Sequence, residues 1–133
     1  MVAMLLWVMA LQAVALLVQG VLAGLALTGV GGSVIGLHMA VGTMSLLLAV
    51  VQVGLTLLIW WQGRGPALLV AATVVFLVAD GVQAFAGSAH LLTLHLPLGV
   101  ALFGAAIALS IWSRELSRNG VRAQQRARAA TPG

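Results

Sequence analysis

Two histidines of this chain stand in the same phrase. "GLHMAVG" holds Leu37-His38 with Gly42, and "TLHLPLG" holds Leu94-His95 with Gly99. A neutral imidazole is the commonest protein ligand for a metal. Two imidazoles presented from opposite sides can take the two axial positions of one haem iron. Positions four apart share a helix face, so each histidine has an absent side chain directly beneath it, and a flat porphyrin lying against a helix needs such a gap. The face continues from His38 through Ser45 and Gln52, and from His95 through Leu102 and Ala106. Zinc fits this set less well, because it wants four ligands, commonly with sulfur or carboxylate among them. A three-histidine site of His38, His90 and His95 is the metal alternative. The plainer alternative is packing: small residues let membrane helices approach closely, and a buried histidine can bond to a neighbouring helix for about 1 kcal/mol.

The remaining polar residues are few enough to be placed one by one. His90 falls in a loop, where it is either solvated or close enough to a cofactor's outer edge to neutralise a propionate. Asp80 and Gln83, three apart, could hold an imidazole N–H, as the partners of a ligating histidine do; they could equally pair across helices with Gln19. Gln12 and Gln19 mark one face of the first helix as inward. The chain has no cysteine, which excludes disulfides, thiolate metal sites and haem attachment through C-x-x-C-H. It shows no nucleophile with an adjacent base and no acid–base pair, so its residues do not support an enzymatic role.

What must position these groups follows from composition. Of 133 residues 62% are hydrophobic and 6% charged, with a mean hydropathy of +1.18. A soluble domain carries about 25% charged residues, so this chain cannot cover a surface facing water. Apolar runs at about 4–28, 34–62, 66–86 and 91–112 are each near the ~20 residues that span a bilayer as a helix. In lipid the backbone must satisfy its own hydrogen bonds, which makes these runs helices. The first has no basic flank at its start and exceeds the apolar core of a signal peptide, so it is expected to remain as helix one. Short connections, "TGVGGSV", "QGRGP" and "GSAHLL", predict an all-α, up-down four-transmembrane-helix bundle built from two helix-pair repeats, in which helices two and four are diagonal and face each other.

Basic residues collect on the cytoplasmic side of membrane proteins. Arg64, Arg114, Arg118, Arg122, Arg126 and Arg128 all fall at the end shared by both termini, with Trp7, Trp60, Trp61 and Trp112, while His38, His90 and His95 fall at the other. Residues 1–112 therefore read as a four-helix membrane domain with cytoplasmic termini and outward histidines in the cell membrane. Residues 113–133 read as a basic tail, helical at first and disordered at "AATPG". Its arginines at i, i+4 and i+8 fix topology and suit anionic lipid headgroups, at about 1 kcal/mol per basic residue near the surface. Nucleic acid is not the partner that this charge implies.

With these residues placed, the chain looks like two copies of one helix pair. Each copy has a glutamine on its first helix (Gln19, Gln83), an outer loop, Leu-His-x-x-x-Gly opening its second helix, and tryptophan near the inner end. The stretches "VQGVLAGLALTG…IGLHMAVG" and "VQAFAGSAHLLTLHLPLGVALFG" resemble helix pairs of the haem A synthase family, across residues 12–112. That resemblance implies a four-helix half-domain with His38 and His95 as axial ligands of haem. The family joins two such halves, and its catalytic half has an acidic residue just before the first histidine and often cysteines in an outer loop; "GSVIGLHM" has neither. The lone half is closer to a small b-type cytochrome, with the four-helix b561-type cytochromes a looser analogy. The expected function is a bis-histidine protein with one haem b per chain, acting in electron transfer or haem handling, as a homodimer or within a larger respiratory or haem-handling complex. Its rivals are a non-redox accessory subunit with structural histidines and, against the lack of a polar track across the inner half, a proton path or transporter.

Overall fold

The computed structural model describes residues 1–29 and 32–130. They form four helices: α1 (Val2–Leu27), α2 (Gly32–Trp61), α3 (Ala67–Ser88) and α4 (Leu92–Ala130). Each is long and apolar enough to cross a membrane, as a multi-pass membrane protein requires.

The helix ends are set by local chemistry. Pro66, at φ −76° and ψ 144°, is the N-cap of α3, where the absence of an N–H leaves no helical acceptor unpaired. After α2, Gly63 donates to the Trp60 carbonyl and Arg64 to the Ile59 carbonyl; after α3, His90 donates to Gly87 and Leu91 to Ala86. Both pairs are Schellman closures, which place the residue after the C-cap in the left-handed region. Gly63 occupies it at φ 68° and Gly29, after α1, at φ 79°, whereas the third such position is His90 at φ 58°. Pro97 lies inside α4 two residues after His95 and cannot donate to the Thr93 carbonyl.

Each helix packs on its neighbours in the chain and α4 closes on α1, while among the described residues the diagonals α1/α3 and α2/α4 do not pack. Partner numbers fall on one helix as they rise on the next: Gln12 meets Ser45 and Gln52, and Gln19 meets Gly42. Likewise Ser45 meets Asp80 while Thr56 meets Thr73. Met1 and Gln62 lie 3.6 Å apart, sulfur to amide, so the start of α1 and the end of α2 share one end of the molecule.

The distribution of side chains is inverted relative to a bundle in water. Gln12, Ser45, Gln52, Thr56 and Thr73 are among the most fully buried, at 1–2% exposure, while Trp61 and Val100 are 82% and 74% exposed. With lipid outside, apolar surface has no reason to leave its surroundings, and helices associate through close packing and interhelical hydrogen bonds. Leu5, Met9, Leu16, Phe76, Leu102 and Leu109 supply the packing.

One expectation shifts. The tail expected to be helical at first and disordered from Ala129 continues as helix to Ala130, because "RAQQRARAA" is rich in strong helix formers. The remainder of the predicted disordered end, 131–133, and residues 30–31 of the first outer turn lie outside the described residues.

Candidate functional site

His38 sits in the second turn of α2 and His95 in the first turn of α4. Although these helices do not pack on each other, their imidazoles meet across the bundle with ring centres 6.0 Å apart and planes at 72°. The predicted pair is therefore brought together.

The two rings are held differently. His95 Nδ1 is 2.9 Å from the Gln83 carbonyl oxygen. A carbonyl only accepts, so Nδ1 carries the proton and Nε2 keeps its lone pair, the tautomer that a ligating histidine needs. The ring rests on Gly87, where a Cβ would come within 2.8 Å of Cε1 and 3.0 Å of Nδ1. His38 turns toward the backbone of Gln19, but its buried Nδ1 has no hydrogen-bond partner.

Gly42 and Gly99 do leave gaps, but the gaps are filled from within the bundle. A Cβ on Gly42 would stand 2.5 Å from Gln19 Nε2, and one on Gly99 would stand 2.9 Å from Gln83 Nε2. The space expected to receive a porphyrin plane thus receives a glutamine amide in each half, because only a glycine lets the amide lie against the facing helix. Gln19 Oε1 and Gln83 Oε1 are buried without partners, which is uncommon for buried polar atoms.

Of the two residues expected to hold an imidazole N–H or to pair with Gln19, Gln83 holds one through its main chain and Asp80 acts otherwise. Asp80 is buried and its Oδ2 accepts from Ser45 Oγ at 3.0 Å; Ser45 Oγ accepts from Gln12 Nε2 at 2.7 Å, and Gln52 Nε2 donates to Gln12 Oε1 at 3.2 Å. The carboxylate therefore ties α3 to α2 and α1 and pairs with neither an imidazole nor Gln19. Gln83 reaches the imidazole of His95 through its main chain, not its side chain. Deeper in, Thr56 and Thr73 share a 2.9 Å hydroxyl contact and Ser113 Oγ donates to Met9 Sδ at 3.1 Å. These groups form a buried polar ladder reaching away from the histidines toward the end that holds Met1 and Gln62, where none was expected. Its signal was the spacing of Ser45, Gln52 and Thr56 along one face of α2, with Thr73 and Asp80 seven apart on α3.

His90 is exposed in the turn after α3, as predicted. Among the described residues no three of the histidines and acids gather as a metal site, so the three-histidine alternative does not form. An apolar groove of about 620 Å³ runs between α3 and α4, floored by Phe76, Leu102 and Leu109 and ending at Ala79 and Leu98, one turn from Gln83 and His95.

The separation of the rings suits a shared metal. About 2 Å from metal to each imidazole nitrogen, plus roughly 1 Å from nitrogen to ring centre, puts two axial rings about 6 Å apart, close to the 6.0 Å observed. No known protein family, curated protein or solved structure matches the chain.

Proposed function

We propose that this protein is a membrane-embedded b-type haem-binding protein, a bis-histidine cytochrome with His38 and His95 as the axial pair and one haem b per chain. The observation that carries this reading is the meeting of two imidazoles at 6.0 Å from helices that do not otherwise pack. The Nδ1 tether of His95 supports it, since it fixes the ring with Nε2 free to ligate. Haem held in this way supplies reversible one-electron transfer. The chain's part would be to present the His38 and His95 nitrogens to the iron and to wrap the group in apolar helix surface. Gln19 and Gln83 would have to swing off Gly42 and Gly99 to admit the ring, and both are side chains whose far ends can move.

The frame we propose is an up-down-up-down bundle of two helix-pair repeats, supported by the falling register of the contacts between helices consecutive in the chain. Its termini face the cytoplasm and its histidines the outer side of the cell membrane, supported by the basic residues of the 62–65 loop and of α4. Anionic lipid headgroups would meet Arg114, Arg118 and Arg122. Assembly as a homodimer, or with a respiratory or haem-handling complex, belongs to the same reading.

One observation favours the rival accessory subunit with structural histidines: amides, not open space, lie beneath both histidines. Absorption spectra of the detergent-purified protein, oxidised and dithionite-reduced, separate the two. A sharp Soret band with resolved α and β bands on reduction, lost or turned high-spin in His95→Ala, is expected. A protein that stays colourless after expression with added haem would refute the cytochrome and leave the accessory reading standing.

A further inference from the structure

The contacts of the two helix pairs allow them to be superposed residue by residue. Gln19 lies against Gly42 as Gln83 lies against Gly99, so α1 maps onto α3 and α2 onto α4, with His38 matching His95. One turn beyond Gln83 is Gly87; one turn beyond Gln19 is Ala23. This is the place where the rings are treated differently. His95 lies so close to Gly87 that a methyl there would stand 2.8 Å from Cε1, well inside the ~3.5–4.0 Å at which carbon atoms rest. Ala23 carries that methyl in the first half, and His38 is the ring whose Nδ1 stays unbonded.

We infer that the histidine pair is unequal by construction: His95 is the fixed ligand and His38 the displaceable one, with Gly87 and Ala23 as the positioning residues that set the difference. This rests on the haem reading for its function, though not for its geometry. Gly87 lets the His95 ring reach the Gln83 carbonyl, which holds its tautomer and direction. Ala23 keeps His38, which turns toward the Gln19 backbone, from closing the same hydrogen bond there, so His38 is held less firmly than His95. Were haem bound, His38 would be the side that an external donor displaces, imidazole from the ferric form or carbon monoxide from the ferrous form, the oxidation state staying the same. His95 keeps hold throughout. Such a site suits uptake and hand-over of haem from the side lined by α1 and α2, as well as electron transfer.

The test has two arms. In the ligand-free protein, long-range proton–nitrogen spectra of the histidine side chains should show His95 locked with its proton on Nδ1 and His38 averaging between tautomers. The double exchange Ala23→Gly with Gly87→Ala should transfer the lock to His38. Ala23→Gly alone, which only removes a methyl, should lock His38 as well if the double variant does not fold. In protein loaded with haemin and then reduced with dithionite, His38→Ala should keep its pigment as a five-coordinate, carbon monoxide-binding species. His95→Ala should retain haem at least about tenfold less well, the loss typical when a ligand's support is removed. Two histidines with the same tautomer behaviour, no effect of the exchange, or equal pigment loss in the two alanine variants would overturn the inference. Unequal tautomers that follow the exchange, in a protein that never takes up haemin, would uphold the positioning roles of Gly87 and Ala23 and refute the haem reading alone.

Discussion

The pair α1–α2 and the pair α3–α4 share a plan at their histidine ends and part company beyond it. Near the histidines the correspondence is close, glutamine on glycine in both halves. One to three turns deeper, Asp80 of α3 answers to Leu16 of α1, and Ser45 of α2 to Leu102 of α4. The α2/α3 interface is consequently joined by Ser45 to Asp80 and Thr56 to Thr73. The α4/α1 interface has Leu16 and Leu102 in the apolar core, with Ser113 on Met9 as its hydrogen bond. Two interfaces of one architecture can thus be built from opposite chemistry. In lipid an interhelical hydrogen bond and a packed apolar contact are both modest. A buried carboxylate, however, tolerates only the register that supplies its partner, whereas leucines accept several. The polar interface should therefore fix the alignment of the helices and the apolar one should follow it.

The comparison can be broken most severely on the apolar side. Leu102→Ala removes a side chain 3% exposed on the floor of the α3/α4 groove and is expected to cost about 2 kcal/mol, the low end for a buried leucine left as a cavity, because lipid removes the transfer term. Reversible unfolding in mixed micelles measures it; a cost under half that would show the groove closing or filling with lipid. On the polar side, Ser45→Ala strands Gln12 Nε2 and Asp80 Oδ2 together, for about 1–2 kcal/mol. The same substitution should broaden helix-register distributions in cross-linking between α2 and α3, an effect that Leu102→Ala should lack.

A change of sign is expected at the turn between α3 and α4. His90 holds the left-handed position that glycine holds after α1 and α2. His90→Gly should stabilise the protein by about 1 kcal/mol, the approximate cost of that conformation for a residue with a Cβ. A loss of stability would show that the imidazole has work in that turn. Smallest of all, Thr56→Val should cost about 0.6 kcal/mol, the mean for interhelical hydrogen bonds in a membrane bundle, as its hydroxyl also has main-chain acceptors at Gln52 and Val53.

Much of this architecture was legible because lipid leaves the backbone one choice: an apolar run of sufficient length is a helix. The four spans, the clustering of arginine and tryptophan at one end and the matched depth of His38 and His95 all follow from spacing along single helices. Gly42 and Gly99 were legible as missing side chains, but what fills the gap depends on a glutamine one helix away. The ladder from Asp80 to Gln52 was hidden for the same reason. Each of its members is an isolated polar residue in an apolar helix, and only the packing of α1, α2 and α3 makes them one network.

The sequence by itself determined that this chain is a set of four membrane-spanning helices with two histidines at one depth, because burial in hydrocarbon and helical periodicity act on each segment alone. The tertiary structure decided that those histidines meet across the bundle, and that the Gln83 carbonyl grips one of them over Gly87 while Nδ1 of the other stays unpartnered. The physical reason is range: periodicity acts over a turn or two of one helix, whereas a ring contact or a carbonyl hydrogen bond depends on ångström-scale placement of residues from three different helices.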